Sequence, residues 1–287
     1  VVVHDPQPAA LKHFHRGGGA RWIWRCHIDT SAPNPEALTF VQPFIAEYDA
    51  VVFTMREFVP ERLGDIRLFV IPPAIDPLSP KNMRAPAELC RRIVEWAGVD
   101  LGRPLLAQVS RFDPWKDPLG VVEVFRRVRK MVPGVQLALL GQMALDDPEG
   151  WRMYRDILQE VGDDEDIHVL TNFTGIGNIE VNAFQRCSSV VLQKSIREGF
   201  GLVVSETLWK GTPVVAGRTG GIPMQMPQGV GGYLVETVEE CVEAVVRLLR
   251  DRWLARALGA KGRKHVRQHF LITRLLADEL RLLQQLS

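Results

Sequence analysis

Two glutamates separated by seven residues enclose a glycine-rich stretch that could bind a phosphorylated ligand. Gly199 follows Glu198 directly, Gly201 comes two residues later, and an apolar run leads on to Glu206. Glycines let the backbone approach a ligand, and the free N–H groups at a helix start favour phosphate. A carboxylate two turns into such a helix can accept hydrogen bonds from the two hydroxyls of a ribose. The alternative is an ordinary acid on a surface helix, but the apolar neighbours of Glu206 favour a binding role.

A second group of candidate residues is a pair of cations around a proline-containing turn. Arg111 and Lys116 flank the sequence Phe-Asp-Pro-Trp, which follows a predicted strand. Two cations in this arrangement could hold a diphosphate leaving group. A solvated basic loop is the alternative reading of the pair taken alone. The glycine-led helix start at the same predicted edge favours diphosphate binding.

Alternation of short apolar runs with helical patterns predicts the elements that position these residues. Several of the runs are rich in β-branched residues without alternation, as in strands buried on both faces. The predicted strands are 1–4, 22–27, 50–54, 68–71, 105–109, 136–140, 167–170, 190–192, 214–216 and 233–235. The predicted helices are 35–46, 87–97, 118–131, 148–161, 203–210, 238–250, 253–269 and 272–286. This order indicates an α/β fold with parallel, helix-covered sheets.

The length of 287 residues corresponds to two domains at about 150 residues each. Four prolines within residues 71–80 predict a stiff crossing between them, with a surface loop as the alternative. We therefore place a partial first domain at 1–73 and a second domain at 74–270. The helix over 271–287 has no strand of its own to cover, so we expect it to pack back on the first domain.

Composition narrows the possible function classes. Thirty-five Lys and Arg against 34 Asp and Glu leave a net charge of +1, so nothing favours a nucleic acid partner. No apolar run is long enough for a transmembrane helix, and we expect no membrane association. The four cysteines are dispersed, which disfavours a metal site and a disulfide framework and favours a cytoplasmic protein.

Ligands in open α/β sheets bind beyond the carboxyl ends of the strands. Five successive predicted strands of the second domain are followed by glycine, hydroxyl or charged residues, and Asn172 is one of these residues. Together the five strand ends predict a polar cleft.

The spacing of Glu198 and Glu206 resembles the E-x7-E pattern of retaining GT-B glycosyltransferases of the group 1 (family 4) type. Ser-Arg-Phe at 110–112 and Lys-Asp-Pro at 116–118 look like that family's diphosphate motif, and Gly-Thr-Pro-Val-Val-Ala at 211–216 looks like its next strand. The resemblance implies two Rossmann-like domains. The first thirty residues, with Val-His-Asp-Pro-Gln-Pro at 3–8 and Trp-Arg-Cys-His-Ile-Asp at 24–29, more narrowly resemble trehalose-forming glycosyltransferases, with retaining trehalose phosphorylases as close relatives. Such chains normally begin with further strands and a glycine-rich loop, so we expect the first domain to be truncated here.

The resemblance also implies a role for each candidate residue. The first domain would lie on the acceptor side and the second would bind the nucleotide sugar. The implied catalytic residues are His27, Arg111, Lys116 and Glu198. The implied donor-binding residues are Gly199, Phe200, Gly201, Leu202, Glu206 and Asn172. Asp5 and Asp29 are weaker acceptor-site candidates, and no metal ligands are implied.

The implied reaction moves glucose from a nucleoside diphosphate glucose to glucose, giving an α,α-linked disaccharide with retention and without a cofactor. A homodimer is compatible with this reading. A trehalose phosphorylase is the first alternative, because the same cations could hold inorganic phosphate. A nucleotide-sugar-binding module without turnover is the second. A dinucleotide-binding enzyme is a weak third, since Gly17–Gly19 does not follow a first strand as G-x-G-x-x-G requires.

Overall fold

A computed structural model describes residues 1–60 and 63–287. Its strands are β1 (Val2–His4), β2 (Ile23–Arg25), β3 (Ala50–Phe53), β4 (Arg67–Val70), β5 (Leu105–Arg111), β6 (Gln136–Gln142), β7 (Ile167–Thr171), β8 (Val190–Gln193), β9 (Val214–Gly217) and β10 (Gly232–Val235). Its α-helices are α1 (Leu11–Phe14), α2 (Pro35–Ile45), α3 (Ala87–Trp96), α4 (Pro118–Met131), α5 (Pro148–Val161), α6 (Asn178–Cys187), α7 (Leu202–Trp209), α8 (Ile222–Gln225), α9 (Val238–Arg250), α10 (Arg252–His269) and α11 (Ile272–Leu286). Short 3-10 helices cover Arg56–Phe58, Pro114–Lys116 and Asn172–Thr174.

The chain forms two compact units, and the boundaries fall beside the proline-rich segment and before the last helix. The first unit comprises Val1–Ala74 and Ile272–Ser287, and the second comprises Ile75–Leu271. The first contains a parallel sheet in the order β1-β2-β3-β4. The second contains a parallel sheet in the order β10-β9-β8-β5-β6-β7.

The sheet of the first unit is apolar on both faces because successive side chains of a strand point to opposite sides. Val51 and Phe53 of β3 contribute to the core on one face. Val52 faces the other way, where Leu282 and Leu286 of α11 pack against it. The last helix thus completes the core of the unit that contains the beginning of the chain.

The sheet of the second unit is doubly wound. Strands β5, β6 and β7 extend in one direction from its centre, and β8, β9 and β10 extend in the other. Connections leave in opposite directions where β5 lies beside β8, and this switch point opens a crevice at the carboxyl ends of the two strands. Arg111 ends β5 and Glu198 follows β8, so the topology places both residues at one crevice.

The predicted α/β class with parallel sheets is confirmed, and the predicted strands match the observed ones to within a few residues. Two boundaries bear on the site. Strand β5 continues to Arg111, which is therefore the last residue of the strand and not part of the following loop. Helix α7 begins at Leu202, directly after Gly201.

Helix α6 is absent from the sequence prediction. Its residues, Asn-Ile-Glu-Val-Asn at the start, have low intrinsic helix propensity, so the local pattern is weak. Packing against α3 and the bond from the backbone N–H of Gly177 to the carboxylate of Glu180, 2.8 Å, define it instead. Within the described ranges, no helix is long and apolar enough to cross a membrane. All four cysteines are unpaired, as predicted.

Candidate active site

The loop before α7 is shaped by glycines on both sides. Gly201, at φ 80°, adopts the left-handed conformation that glycine tolerates and forms the N-cap of the helix. The backbone N–H of Gly221 donates to the carbonyl of Gly199 at 2.9 Å, and a Cβ at Gly220 would collide with the carbonyl of Glu198. The close packing of the loops after β8 and β9 therefore requires glycine, and the backbone geometry at the start of α7 is compatible with the phosphate contact that the resemblance implies.

Lys116 and Glu198, 82 residues apart in the chain, form a direct ion pair. Lys116 Nζ donates to Glu198 Oε2 at 2.6 Å, and both side chains are mostly buried. The same oxygen lies 3.3 Å from Ser195 Oγ and 3.4 Å from Gln193 Nε2, which also donate to it. The carboxylate that the resemblance assigns to the donor sugar is thus held by the lysine assigned to the diphosphate. Sequence reasoning listed both residues but did not predict their contact.

The turn that presents Lys116 is rigid. Asp113 accepts a hydrogen bond from the backbone N–H of Lys116 at 3.2 Å, and Gln108 Nε2 donates to the carbonyl of Lys116 at 2.7 Å. Asp117 adopts φ 48° and caps α4 through a bond from the backbone N–H of Gly120, 3.1 Å. The ammonium group is therefore held near the switch point by a well-braced turn.

The side chain of Arg111 is much more exposed than that of Lys116. Its side chain is 68% exposed, and its only ion pair among the described residues is with Asp113, at 3.3 Å between Nη2 and Oδ2. An exposed guanidinium with one carboxylate contact can exchange that contact for a ligand phosphate. Its position at the end of β5 is compatible with the role that the resemblance implies.

Glu206 is a buried carboxylate that forms an ion pair with Lys81 but accepts no hydrogen bond at Oε2 from the described residues. The residue is 6% exposed, and its Oε2 lies 3.2 Å from Lys81 Nζ but outside hydrogen-bond geometry. In the part of the chain that the structure describes, Oε2 has no hydrogen-bond donor. The nearby ammonium group of Lys81 offsets the burial of the charge, and the oxygen retains the capacity to accept hydrogen bonds from ligand hydroxyls.

Lys81 belongs to a segment that the sequence analysis treated only as part of a linker region. Its turn is held by Lys210, whose Nζ donates to Asn82 Oδ1 at 3.0 Å and to the carbonyl of Glu206 at 2.9 Å. Burial lowers the pKa of Lys210 from 10.5 to about 7, although Glu206 opposes this shift. No motif in the local sequence signals that Lys81 would lie beside Glu206.

Asn172 has a local structural role. Its Oδ1 accepts from the backbone N–H of Met143 at 2.8 Å, and its Nδ2 donates to the carbonyl of Met143 at 3.1 Å. Both ends of the amide therefore bind the chain between β6 and α5. A donor contact of this side chain stays a prediction, and it would have to be made in addition to these bonds.

In the first unit, Asp5 and His27 meet at the ends of β1 and β2. The backbone N–H of His27 donates to Asp5 Oδ1 at 2.8 Å, while Asp5 itself is held at φ 67°, a strained conformation for a residue other than glycine. Trp24 Nε1 donates to the carbonyl of Asp5 at 2.9 Å. His27 Nε2 also shares a hydrogen bond with His4 Nδ1, 2.8 Å. Burial, followed by the charge of Arg25, lowers the pKa of His27, which favours the neutral imidazole.

Asp29, the other acceptor-site candidate, closes a tight turn. Its Oδ1 accepts from the backbone N–H of Ser31 at 2.9 Å and from Ser31 Oγ at 2.6 Å. Contact of Asp5 or Asp29 with an acceptor stays a prediction. Across residues 1–60 and 63–287, no group of three or more His, Cys, Asp or Glu side chains is arranged to hold a metal ion.

Comparison with known protein families divides the chain as the two sheets do. Residues 1–60 match the trehalose synthase N-terminal domain, and residues 93–265 match glycosyl transferases group 1. A trehalose synthase from Rubrobacter xylanophilus is 56% identical over 288 residues, covering 100% of this chain and 69% of that protein. A trehalose phosphorylase from Pleurotus pulmonarius is 35% identical over 181 residues, covering 58% of this chain and 24% of that protein.

The fold also resembles that of solved structures. Anabaena HepE in complex with UDP-glucose superposes with a TM-score of 0.77 at 17% identity, over 92% of this chain and 72% of that one. The predicted GT-B class and the predicted resemblance are thereby confirmed. The chain is a glycosyltransferase that belongs to the group 1 glycosyl transferases and, within them, to the trehalose synthase family.

Proposed function

We propose that the protein transfers glucose from a nucleoside diphosphate glucose to free glucose, with retention, and forms trehalose. The observation that carries the proposal is the buried Glu206 oxygen without a donor, in the same unit as the Lys116–Glu198 pair. The two hydroxyls of a ribose would donate hydrogen bonds to Glu206, and the departing diphosphate would contact Lys116 of the Lys116–Glu198 pair. The relatives named trehalose synthase and the neighbour solved with UDP-glucose support this choice of substrates.

The chemistry follows from the charges at the switch point. The bond between the anomeric carbon and the diphosphate oxygen breaks, and negative charge develops on that oxygen. Lys116 and Arg111 stabilise this charge, together with the backbone N–H groups at the start of α7. The hydroxyl of the acceptor glucose forms the new bond on the face from which the diphosphate departs, and its proton passes to the departing phosphate.

The Lys116–Glu198 pair has a specific part in this scheme. In the free protein the carboxylate neutralises the ammonium group, so neither charge is buried alone. When the donor binds, Lys116 turns to the diphosphate, and Glu198 becomes free to accept hydrogen bonds from sugar hydroxyls. The pair thus keeps both groups oriented before the substrate arrives.

Trehalose phosphorolysis is a second candidate, favoured by the similarity to the Pleurotus enzyme over 58% of the chain. In that reaction, inorganic phosphate would occupy the position of the diphosphate, and Glu206 would have no ribose to bind. The two functions differ in what they consume and release.

The test is a matched set of incubations followed by ¹H NMR of the anomeric protons. The protein is incubated with glucose and ADP-, UDP- or GDP-glucose, and separately with trehalose and inorganic phosphate. Trehalose formed without added phosphate supports the transferase. Glucose and glucose phosphate formed only from the second mixture would overturn it in favour of the phosphorylase. Absence of product from both mixtures would overturn both candidates.

A further inference from the structure

A cleft of about 400 Å³ lies at the amino ends of the strands of the second unit, opposite the edge that carries Glu198 and Glu206. Pro104, Ser189 and Pro213, each directly before a strand, form its floor. The end of α9 and the start of α10 form another wall. Neither the family resemblance nor the proposed reaction uses this cleft.

The cleft is lined by cations without carboxylates. Arg186, Lys210, Arg252 and Arg256 line it, and no Asp or Glu is among the described residues around it. These four side chains form a local positive cluster in a chain whose net charge is only +1. Ser189 and Thr212 also line the cleft, although the hydroxyl of Thr212 already donates to the carbonyl of Gln185 at 2.6 Å.

Two of the four arginines of α10, Arg252 and Arg256, line the cleft and form no ion pair within the described residues. Arg129, for comparison, lies 2.7 Å from Asp164. Arg252 has no hydrogen bond or ion pair within residues 1–60 and 63–287, and the described contact of Arg256 is with the ring of Trp253, 5.9 Å from its centre. The two residues are four positions apart on one helix, so their side chains lie on the same face.

Arg186 lies deeper in the cleft and is held in place without being neutralised, whereas the charge of Glu206 acts on Lys210. Arg186 donates to Asn182 Oδ1 at 2.8 Å and to the carbonyl of Met83 at 2.9 Å, both uncharged acceptors. Burial lowers the pKa of Arg186, and the positive charge of Arg263 lowers it further. The charge of Arg186 also adds to the effect of burial on the pKa of Lys210. These cations repel one another, and an anion in the cleft would relieve that repulsion.

We propose that this cleft is a second ligand site that binds a small phosphate-bearing anion. The forked guanidinium groups of Arg252 and Arg256 match phosphate oxygens, which they can hold in pairs of hydrogen bonds. The hydroxyl of Ser189 adds a donor at the floor. The volume admits a phosphate group with a small substituent, so inorganic phosphate and a phosphate monoester are two sources of the same chemistry.

The test is a titration followed by ¹H–¹⁵N NMR of the whole chain, with inorganic phosphate in one series and glucose 6-phosphate in the other. We expect saturable shifts of the Ser189 and Thr212 amide signals in at least one series. The double variant Arg252→Ser/Arg256→Ser is expected to weaken this binding at least tenfold. The matched control Arg267→Ser removes an exposed arginine of the same helix outside the cleft and is expected to bind as the wild type does.

The probe that binds more tightly in the titrations identifies the source of the phosphate group. A preference for glucose 6-phosphate indicates that the substituent on the phosphate is also recognised. Two results would overturn the proposal. One is the absence of saturable shifts of Ser189 and Thr212 up to about 10 mM of either probe, where even weak affinities near 1 mM are visible. The other is unchanged affinity in the double variant.

Phosphate binding at the candidate active site is distinguishable from binding in the cleft. The amides of Gly199 and Gly201 report on the former, and Lys116→Ala is expected to reduce their response alone. Shifts confined to these glycines overturn the cleft proposal and leave the proposed function standing. Shifts at Ser189 and Thr212 in a protein that forms no trehalose support the cleft and overturn the proposed function.

Discussion

Replacement of Glu206 by alanine tests whether the second unit binds a nucleoside. The side chain is 6% exposed, and its Oε2 has no donor in the described part of the chain. A charge-assisted hydrogen bond contributes about 1.5–3 kcal/mol, and a diol can make two of them with one carboxylate. Loss of the 3.2 Å approach to Lys81 and desolvation of the ribose offset part of this gain.

We therefore expect a net loss of about 1.4–3 kcal/mol, which corresponds to roughly 10- to 100-fold weaker binding of nucleoside diphosphates. Binding of inorganic phosphate should change little, because phosphate would contact Arg111, Lys116 and the start of α7. Isothermal titration calorimetry of UDP, ADP, GDP and phosphate measures both effects. The control Glu243→Ala removes an exposed glutamate of α9 outside this site.

The fold should survive the change at Glu206. Lys81 is 29% exposed in its side chain, so it can turn to solvent when its partner is removed. Urea unfolding of both variants checks that a loss of affinity does not reflect a loss of structure. If the alanine variant is folded and binds every nucleoside diphosphate as tightly as the wild type, Glu206 does not hold the ribose and the reasoning fails.

Three further outcomes are expected. Lys116→Ala should lose about 2.7–4 kcal/mol of transition-state stabilisation, which lowers turnover by roughly two to three orders of magnitude, whereas Lys130→Ala, at an exposed lysine, should leave turnover unchanged. Equal activity of both variants in steady-state kinetics would contradict this. The pKa of Lys210 falls from 10.5 in a free side chain to about 7 here, so between these pH values the unfolded chain binds more protons and the free energy of unfolding should rise with pH. Urea titrations of Lys210→Met should show a flatter dependence of that free energy on pH, and an unchanged dependence would refute the assignment. Leu282→Ala, at a side chain that is 1% exposed, should cost about 2–5 kcal/mol of unfolding free energy, whereas its neighbour Leu283, 50% exposed, should tolerate alanine with little loss; equal effects would show that α11 does not pack as described.

Much of the architecture can be predicted from local patterns. The β-branched run of β3 and the apolar run of β8 indicate buried parallel strands, because each strand depends on side-chain types within a few residues. Gly201 marks the start of α7 for the same reason, since its backbone conformation requires glycine locally. Helix α6 was missed because its stability comes from packing on α3 and not from its own propensity.

The composition of the candidate site was also largely visible in the sequence, but its pairings were not. Residue type and spacing in the sequence identify four candidates: Arg111, Lys116, Glu198 and Glu206. It does not indicate that Asn172 binds the backbone of Met143, because both hydrogen bonds of that amide cross from β7 to the end of β6. A polar side chain at a strand end can either bind a ligand or hold the backbone, and the residue type alone does not distinguish the two.

Only the tertiary structure decided which of these groups meet. The contact between Lys116 and Glu198 exists because β5 lies beside β8, an adjacency set by the order in which crossovers return to the sheet. The approach of Lys81 to Glu206 joins residues 125 positions apart, and no periodicity links them. Local sequence determines which elements form and which residues end them, because those choices depend on near neighbours. The burial and neutralisation of each charge depend on long-range packing, and that packing leaves Oε2 of Glu206 without a hydrogen-bond donor among the described residues.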